Sequence, residues 1–369
     1  MLDVLPEDLV REILSRVPVT CLVRLRSTCK QWNNLIKDPE FIITNQSRNS
    51  AAGEKQSMIV LLKQVGVYEF LTSKLVKLKD RLYDSDKFYI YDIYYCDGLL
   101  LCTIVNKIRN DDEQFVSRLV VWNPILGQTK WIDLTNRYRV YDIFTLGHDG
   151  NKNYKILRIF YGDSSYKRGL EIYDCKVNSW KSLDEDVTRD DWGILARGAS
   201  LNGDSYWIGY DESDKDVPML ISFDFSVEKL QRQFLPNHQS EGILMALSVH
   251  REEELLLLNQ GYDTLKTEIW VTTNNKMDKK KTKVFSWSKY LTVDLYSHNI
   301  SLFHYTSFFI MEEKKKTLVC CCTRRYLSYY KAYVIGEEEN GVRKVHLGKF
   351  DFRVRPLMFN YLPSLVQIH

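Results

Sequence analysis

Residues 121–131 read Val121-Trp122-Asn123-Pro124-Ile125-Leu126-Gly127-Gln128-Thr129-Lys130-Trp131. An apolar–aromatic pair leads into an asparagine, a turn containing Pro and Gly follows, and an aromatic residue closes the stretch. Two strands joined by a short turn read this way. The order recurs along the chain. Ile172-Tyr173-Asp174 leads to Trp180, and Ser222-Phe223-Asp224 leads to Phe234. Ile269-Trp270-Val271 leading to Trp287 is a looser copy, and Ala332-Tyr333-Val334 leading to Val345 is degenerate. From Trp122 the steps are 51 residues to Tyr173, 50 to Phe223, 47 to Trp270 and 63 to Tyr333. A short apolar strand stands ahead of each copy: 98–101, 154–157, 205–208, 255–258 and 318–320.

A period near 50 residues with several strands per unit is the pattern of propeller blades. A small twisted sheet cannot bury both faces by itself, and radial stacking hides them while leaving only short edges. Counting Met58 to Tyr95 as a first, weakly marked unit gives about six blades. The final run Leu365-Val366-Gln367-Ile368 is expected to pair with the first blade and close the ring. The alternative architecture is a two-sheet sandwich or two smaller β domains.

Outward from the repeats, the first 37 residues differ in kind. Pro6 suits the start of a helix. Leu5, Leu9, Ile13 and Val17 recur every four residues, and Val10 and Leu14 make an adjacent stripe, an apolar face broader than one neighbour covers. Pro18 stops this helix. A second short helix runs over 19–26 with Leu22 and Leu25 one turn apart. Ser27 or Thr28 can cap a third, in which Cys29, Trp32, Leu35 and Ile36 share a side. Pro39 closes the unit, and 45–57, NQSRNSAAGEKQS, reads as a linker. About 40 residues rarely hold themselves together without metal, disulfides or a partner. The unit is therefore either a docking module or a helical cap on the rest of the chain.

These residues carry a resemblance. Leu5-Pro6, Asp8-Leu9, Ile13-Leu14, Arg16, Pro18, Leu22, Arg24, Cys29-Lys30 and Trp32 resemble an F-box. The resemblance implies binding to a Skp-type adaptor and, through it, to cullin and a RING subunit. Residues 1–44 would be the F-box, with Leu5, Pro6, Leu9, Ile13, Leu14, Val17, Leu22 and Trp32 facing the adaptor. Some of these, Trp32 above all, can instead hold the helices together. A second resemblance lies in Cys96-Asp97-Gly98-Leu99-Leu100-Leu101-Cys102, Trp122-Asn123-Pro124, Asn178-Ser179-Trp180 and Asn202-Gly203. It is to the F-box-associated domain of plant F-box proteins, which implies a kelch-like β-propeller over 58–369; the kelch double glycine is absent. The expected fold is a small three-helix F-box followed by a propeller, and the implied function is a non-catalytic substrate receptor of an SCF-type ubiquitin ligase. The target protein is not named by the sequence. Competing readings are a Skp-binding protein outside ubiquitination, or a propeller that binds a glycan or small ligand.

Composition narrows the field. The chain has 369 residues, 44% hydrophobic, with 51 basic and 48 acidic side chains and a net charge of +3. That near balance argues against a nucleic-acid or membrane-surface partner. Eight cysteines without a CxxC pattern suit a reducing compartment. No signal h-region opens the chain and no apolar run approaches about 18 residues, so cytoplasm and/or nucleus is expected. Asn299-Ile300-Ser301 is then a chance sequon.

Chemistry-bearing patterns are sparse. The seven histidines show no HExxH or paired metal spacing, and there is no phosphate loop or nucleophile elbow. No metal, cofactor or catalytic residue is expected. Cys320 and Cys322 share one face of a strand and Cys321 the other, as packing groups. The lysine runs at 276–283 and 314–316 read as exposed loops, with nuclear import or an acidic partner as the alternative. Asp184-Glu185-Asp186 and Asp190-Asp191 read as a solvated turn. Target contacts are expected on polar loops at 106–115, 163–168, 211–217 and 262–266.

Overall fold

The computed structural model describes residues 5–51, 57–61, 65–69, 74–77, 88–106, 115–134, 138–161, 168–183, 192–211, 214–236, 243–261, 264–273, 284–295, 300, 302, 306–312, 316–322, 329–336, 342–349 and 357–368. The lysine run 276–283, the acidic cluster 184–191, and His238, His298 and His304 lie outside them, as do 107–114, 163–167, 212–213 and 262–263 of the polar loops and the sequon apart from Ile300; the rest of 211–217 is strand and not loop.

Four helices open the chain: α1 (Glu7–Leu14), α2 (Val19–Leu25), α3 (Lys30–Ile36) and α4 (Pro39–Ala51). Pro6 precedes α1, and its carbonyl accepts from Leu9 N and Val10 N at 3.0 and 3.1 Å. Glu7 and Asp8 sit in the first turn and Arg11 in the last, in the order the helix dipole favours. The cap of α3 is neither Ser27 nor Thr28. Cys29 Sγ accepts from Trp32 N at 3.4 Å, while Ser27 and Thr28 donate their hydroxyls to Arg24 O and Leu25 O at the end of α2.

The fourth helix overturns part of the linker reading. Asp38 Oδ1 accepts from Phe41 N at 2.9 Å, and Pro39 occupies the first helical position, where no N–H is needed. Asp38-Pro39 therefore starts a helix that runs to Ala51. Phe41, Ile42 and Asn45 are buried on it. Polarity hid this helix, because only Phe41 and Ile42 among its apolar residues reach the core.

Among the described residues, twenty-six strands follow, in six antiparallel sheets. β1 (Ser57–Leu61), β2 (Val65–Glu69) and β3 (Lys74–Lys77) begin the first. β4 (Phe88–Cys96), β5 (Leu99–Asn106), β6 (Phe115–Asn123) and β7 (Gln128–Ile132) form the second, with β8 (Tyr138–Arg139) beside β6. β9 (Ile143–His148), β10 (Tyr154–Tyr161), β11 (Arg168–Asp174) and β12 (Ser179–Ser182) form the third. β13 (Trp192–Ile194) and β14 (Ala199–Leu201) both pair with β15 (Asp204–Asp211), followed by β16 (Asp214–Asp224) and β17 (Lys229–Phe234). β18 (Ile243–His250), β19 (Glu254–Gly261), β20 (Lys266–Thr273) and β21 (Ser286–Asp294) form the fifth. β22 (Ser307–Glu312), β23 (Lys316–Cys322), β24 (Tyr329–Gly336) and β25 (Val342–Lys349) form the sixth. Finally β26 (Leu357–Tyr361) pairs with β1, so that five sheets use consecutive strands and one is shared by the two ends of the chain.

Two expectations change here. The closing strand is β26, registered as Ser57↔Tyr361 and Leu61↔Leu357, and not 365–368, which is not a strand. The stretch 58–95 is not one unit either: β1–β3 belong to the shared sheet and β4 is the first strand of the next. The closing sheet lacks the turn signature of the repeats, so spacing could not place it.

Apolar clusters lie between successive sheets. Trp122, Leu100 and Cys102 meet Leu357 and Tyr361. Leu101 and Val121 on the opposite face meet Phe144, Ile156 and Tyr173. Leu157 and Ile172 meet Trp207 and Phe223. Tyr206 and Ile208 meet Leu255 and Leu257, Leu256 and Leu258 meet Phe308 and Leu318, and Val319 and Cys321 meet Met358. Each sheet is thus covered on both sides, which explains the unbroken apolar runs of β5 and β19. Cys320 and Cys321 are both buried, on opposite faces; the side chain of Cys322 is outside the described residues.

The repeat that organises the sequence is the turn between third and fourth strands. Asn123 Oδ1 accepts from Ile125 N and Leu126 N at 3.0 and 3.1 Å. Asp174 Oδ1 accepts from Lys176 N and Val177 N at 2.7 and 3.2 Å, and Asp224 Oδ1 from Ser226 N and Val227 N at 2.8 and 3.4 Å. A left-handed residue ends each turn: Gly127, Asn178 and Glu228 with φ of 64°, 57° and 55°. Short Asx side chains stabilise such turns through their own backbone. The chain then pairs Val120 with Trp131 and Tyr173 with Trp180 across the strands.

Candidate interaction site

The helical module separates its apolar residues into two sets. Leu14 and Leu22 are enclosed, as are Val10, Val19, Leu35, Ile36 and Phe41. Val17 and Trp32 are half-buried and pack against that core. Leu5, Pro6, Leu9 and Ile13 are exposed, Leu9 and Ile13 to 50% and 53%. Of the eight residues expected at an adaptor surface, four therefore stand free on one helix and its entry, two are half-buried, and two are core. Spacing on a helix cannot distinguish the two stripes, because both repeat every three to four residues. Ile43 on α4, 50% exposed, belongs with the exposed apolar residues; reading Pro39 as the close of the helical unit hides it.

Polar contacts fix the helix that carries this face. Arg48 Nη2 on α4 lies 2.8 Å from Glu12 Oε2, and Arg48 also donates to Ser15 Oγ. Arg11 Nη1 pairs with Asp38 Oδ1 at 2.8 Å, and Asn45 Nδ2 donates to Ser15 O and Val17 O at 3.0 and 3.3 Å. The guanidinium of Arg48, with that of Arg16, holds the Glu12 carboxyl below its ordinary value. α1 is thus pinned from its polar side while its other side is left open.

The module is not isolated from the sheets. Its core residues form one apolar cluster with Cys96, Leu99, Cys175, Leu365 and Val366. Residues 362–368 are held by side chains of the second sheet. Asn123 Nδ2 donates to Ser364 O and Val366 O at 3.0 and 2.9 Å, and Gln128 Nε2 to Gln367 Oε1 at 2.8 Å. Asp97 and Gly98 make the turn between β4 and β5 with φ of 53° and 79°, as Asp-Gly hairpins require. A Cβ on Gly98 would lie 2.2 Å from Ser364 Cβ. The Asp-Gly and Trp-Asn-Pro segments are thus the seat of the C-terminal segment.

A buried polar cluster adjoins that seat. Asp97 Oδ2 lies 2.8 Å from His148 Nε2 and 2.7 Å from Lys152 Nζ, and accepts from Tyr154 OH at 3.0 Å. Burial would raise Asp97, but His148 and Lys152 outweigh it and hold the carboxyl well below its ordinary value. Cys96, Asp97 and His148 bring their ligand atoms within 4.8 Å of one another, with the Lys152 ammonium against two of them. The histidine spacing alone does not mark His148, since Asp97 and Cys96 lie 51 and 52 residues away. Tyr95 OH donates to Glu252 Oε1 at 3.0 Å. Burial first, then the Asp97 charge, pushes the Glu252 carboxyl up to about 7.

Inner strands from the six sheets surround a channel with a cavity of about 340 Å³. Residues 140–145, 306–308 and 357–359, at or before the starts of their strands, line it, and Glu252 lies at the opposite end. The lining therefore reaches from the end where the chain enters the inner strands to the end that carries Glu252. Connections from second to third strands leave the sheets at the entry end, and the four stretches expected to meet a target are among them.

Comparison with known proteins supplies the remaining findings. Residues 2–44 match the F-box domain and residues 54–368 match the F-box associated beta propeller domain. A chain of Arabidopsis thaliana named as an F-box protein is 38% identical, covering 100% of this chain and 95% of its own length. An F-box/LRR-repeat/kelch-repeat protein of Arabidopsis thaliana is 37% identical, covering 99% of this chain and 98% of its own.

Proposed function

This chain belongs to the F-box proteins that carry an F-box-associated β-propeller, and from that premise we propose that it is the substrate-recognition subunit of an SCF-type ubiquitin ligase. The observation that carries the reading is the split of the helical module. Leu14 and Leu22 close its core, while Leu5, Leu9 and Ile13 stand on α1 and its entry, open to a partner. An apolar helix face laid into a groove is a recurring recognition mode, and a Skp-type adaptor is the partner this family implies. Cullin and a RING subunit join through the adaptor. The propeller holds a target protein at the end that carries the connections between second and third strands, and ubiquitin transfer follows from proximity, with the bond chemistry done by other subunits. The setting is the cytoplasm and/or nucleus.

Affinity co-purification of the full chain and of Leu9→Asp/Ile13→Asp, with mass spectrometry of bound proteins, tests this. Adaptor and cullin recovered with the native chain and lost from the variant support the proposal. Adaptor without cullin favours a role outside ubiquitination. Recovery of neither overturns it.

A further inference from the structure

We propose that the propeller channel is a binding site for one small neutral molecule with an apolar ring and a hydroxyl group. The inference rests on the channel alone and stands or falls apart from adaptor docking.

The cavity of about 340 Å³ lies within the range of ligand pockets, about 300–1,000 Å³. It is lined at one end by residues 140–142 and at the other by Glu252, whose Tyr95 partner also lies 3.5 Å from Leu362 O. Its lining includes Tyr141 and Leu195, 54% and 48% exposed. Large apolar side chains left exposed along a cavity are the feature that an apolar ring entering it would cover.

Charge selects the occupant. Arg197 Nη1 lies 2.8 Å from Asp92 Oδ1. Asp142 is matched by Arg158 at 2.6 Å. Asp92, Asp142 and Arg197 are thus matched within the protein, and Glu252, the remaining wall carboxyl, is hydrogen-bonded by Tyr95 OH, so an anionic ligand would bring an unpaired charge into a site partly shut from water. Glu252 can donate as a carboxylic acid or accept as a carboxylate. A hydroxyl answers either state, whereas a ligand anion meets repulsion once Glu252 ionises. Thr145 Oγ1 and Trp207 Nε1 in the wall have no hydrogen-bond partner among the described residues, so the wall is polar beneath its aromatic surface.

The test uses three probes sharing one ring system: 2-naphthol, 2-naphthoate and 2-naphthylmethylammonium, each titrated calorimetrically into the full chain at pH 7. The expected result is saturable 2-naphthol binding, at least tenfold tighter than either charged probe. It should weaken at least fivefold in Tyr141→Ala and in Leu195→Asp, exposed positions whose substitution leaves the melting temperature in place. Equal binding of the three probes, no 2-naphthol binding at 1 mM, or binding unchanged in both variants overturns the proposal and leaves a solvent-filled channel.

Discussion

Asn123→Asp should loosen the C-terminal segment while leaving its own turn intact. Asn123 is fully enclosed. Its Oδ1 accepts from Ile125 N and Leu126 N, and its Nδ2 donates to Ser364 O and Val366 O. Aspartate keeps the acceptor and puts a second oxygen where two carbonyl oxygens converge. Each lost hydrogen bond is worth about 1 kcal/mol, and each carbonyl left buried and unpaired adds about 1–3 kcal/mol. Allowing for relaxation of the segment, the expected loss is about 3–5 kcal/mol. With an unfolding entropy of about 2.1 cal/mol/K per residue over roughly 300 residues, this lowers the melting temperature by about 5–8 °C. The assay is thermal unfolding paired with carboxypeptidase digestion, which should trim the variant well ahead of the native chain. Asp174→Asn is the control: Asp174 only accepts, in an exposed turn, and its variant should melt within about 1 °C of native. A melting temperature of Asn123→Asp that is unchanged, with the C-terminal segment undigested, refutes the reasoning.

Arg158→Met should cost about 3–5 kcal/mol in urea unfolding, because it strips the partner from Asp142, whose side chain is 1% exposed; Arg158→Met/Asp142→Asn should recover more than half. Glu252 gives a pH signature. Its pKa rises from 4.5 unfolded to about 7 folded, so the native state binds the extra proton, and stability falls as pH rises from about 4.5 to 7. The bound is about 3 kcal/mol, cut to roughly 1–2 because Glu252 is partly exposed; Glu252→Gln removes the titrating group, so the native-minus-variant difference in melting temperature should fall from pH 4.5 to pH 8. Gly98→Ala should lower stability by about 1–2 kcal/mol from its left-handed backbone alone and by more from the contact with Ser364, read by the same unfolding assay.

The turn signature made much of the fold legible. Asn123, Asp174 and Asp224 announced their hairpins because an Asx side chain bonds its own backbone, a local event visible in sequence. The second strands, such as 255–258, read correctly because both faces of a stacked sheet are dry. What failed was non-local. β26 has no turn cue tying it to β1, nearly 300 residues earlier, so Leu365–Ile368 was expected in its place. Those residues instead lie in the grip of Asn123 and Gln128. α4 was lost through its polarity, although Asp38-Pro39 is the same kind of start signal as the one used at Pro6. On α1, Leu14 and Leu9 have identical chemistry, and only the packing of α2, α3 and α4 decides which is covered. The Asp97–His148–Lys152 cluster could not be read, since the hairpin turns of two sheets bring it together.

The central claim is that the open face of α1 docks a Skp-type adaptor. The most direct measurement is calorimetric titration of purified adaptor into the full chain and into Leu9→Asp/Ile13→Asp, with melting temperatures recorded in parallel. The expected result is tight one-to-one binding by the native chain and at least a hundredfold loss in the variant, both melting at the same temperature. Equal binding by the two chains, or none by the native chain, would contradict it.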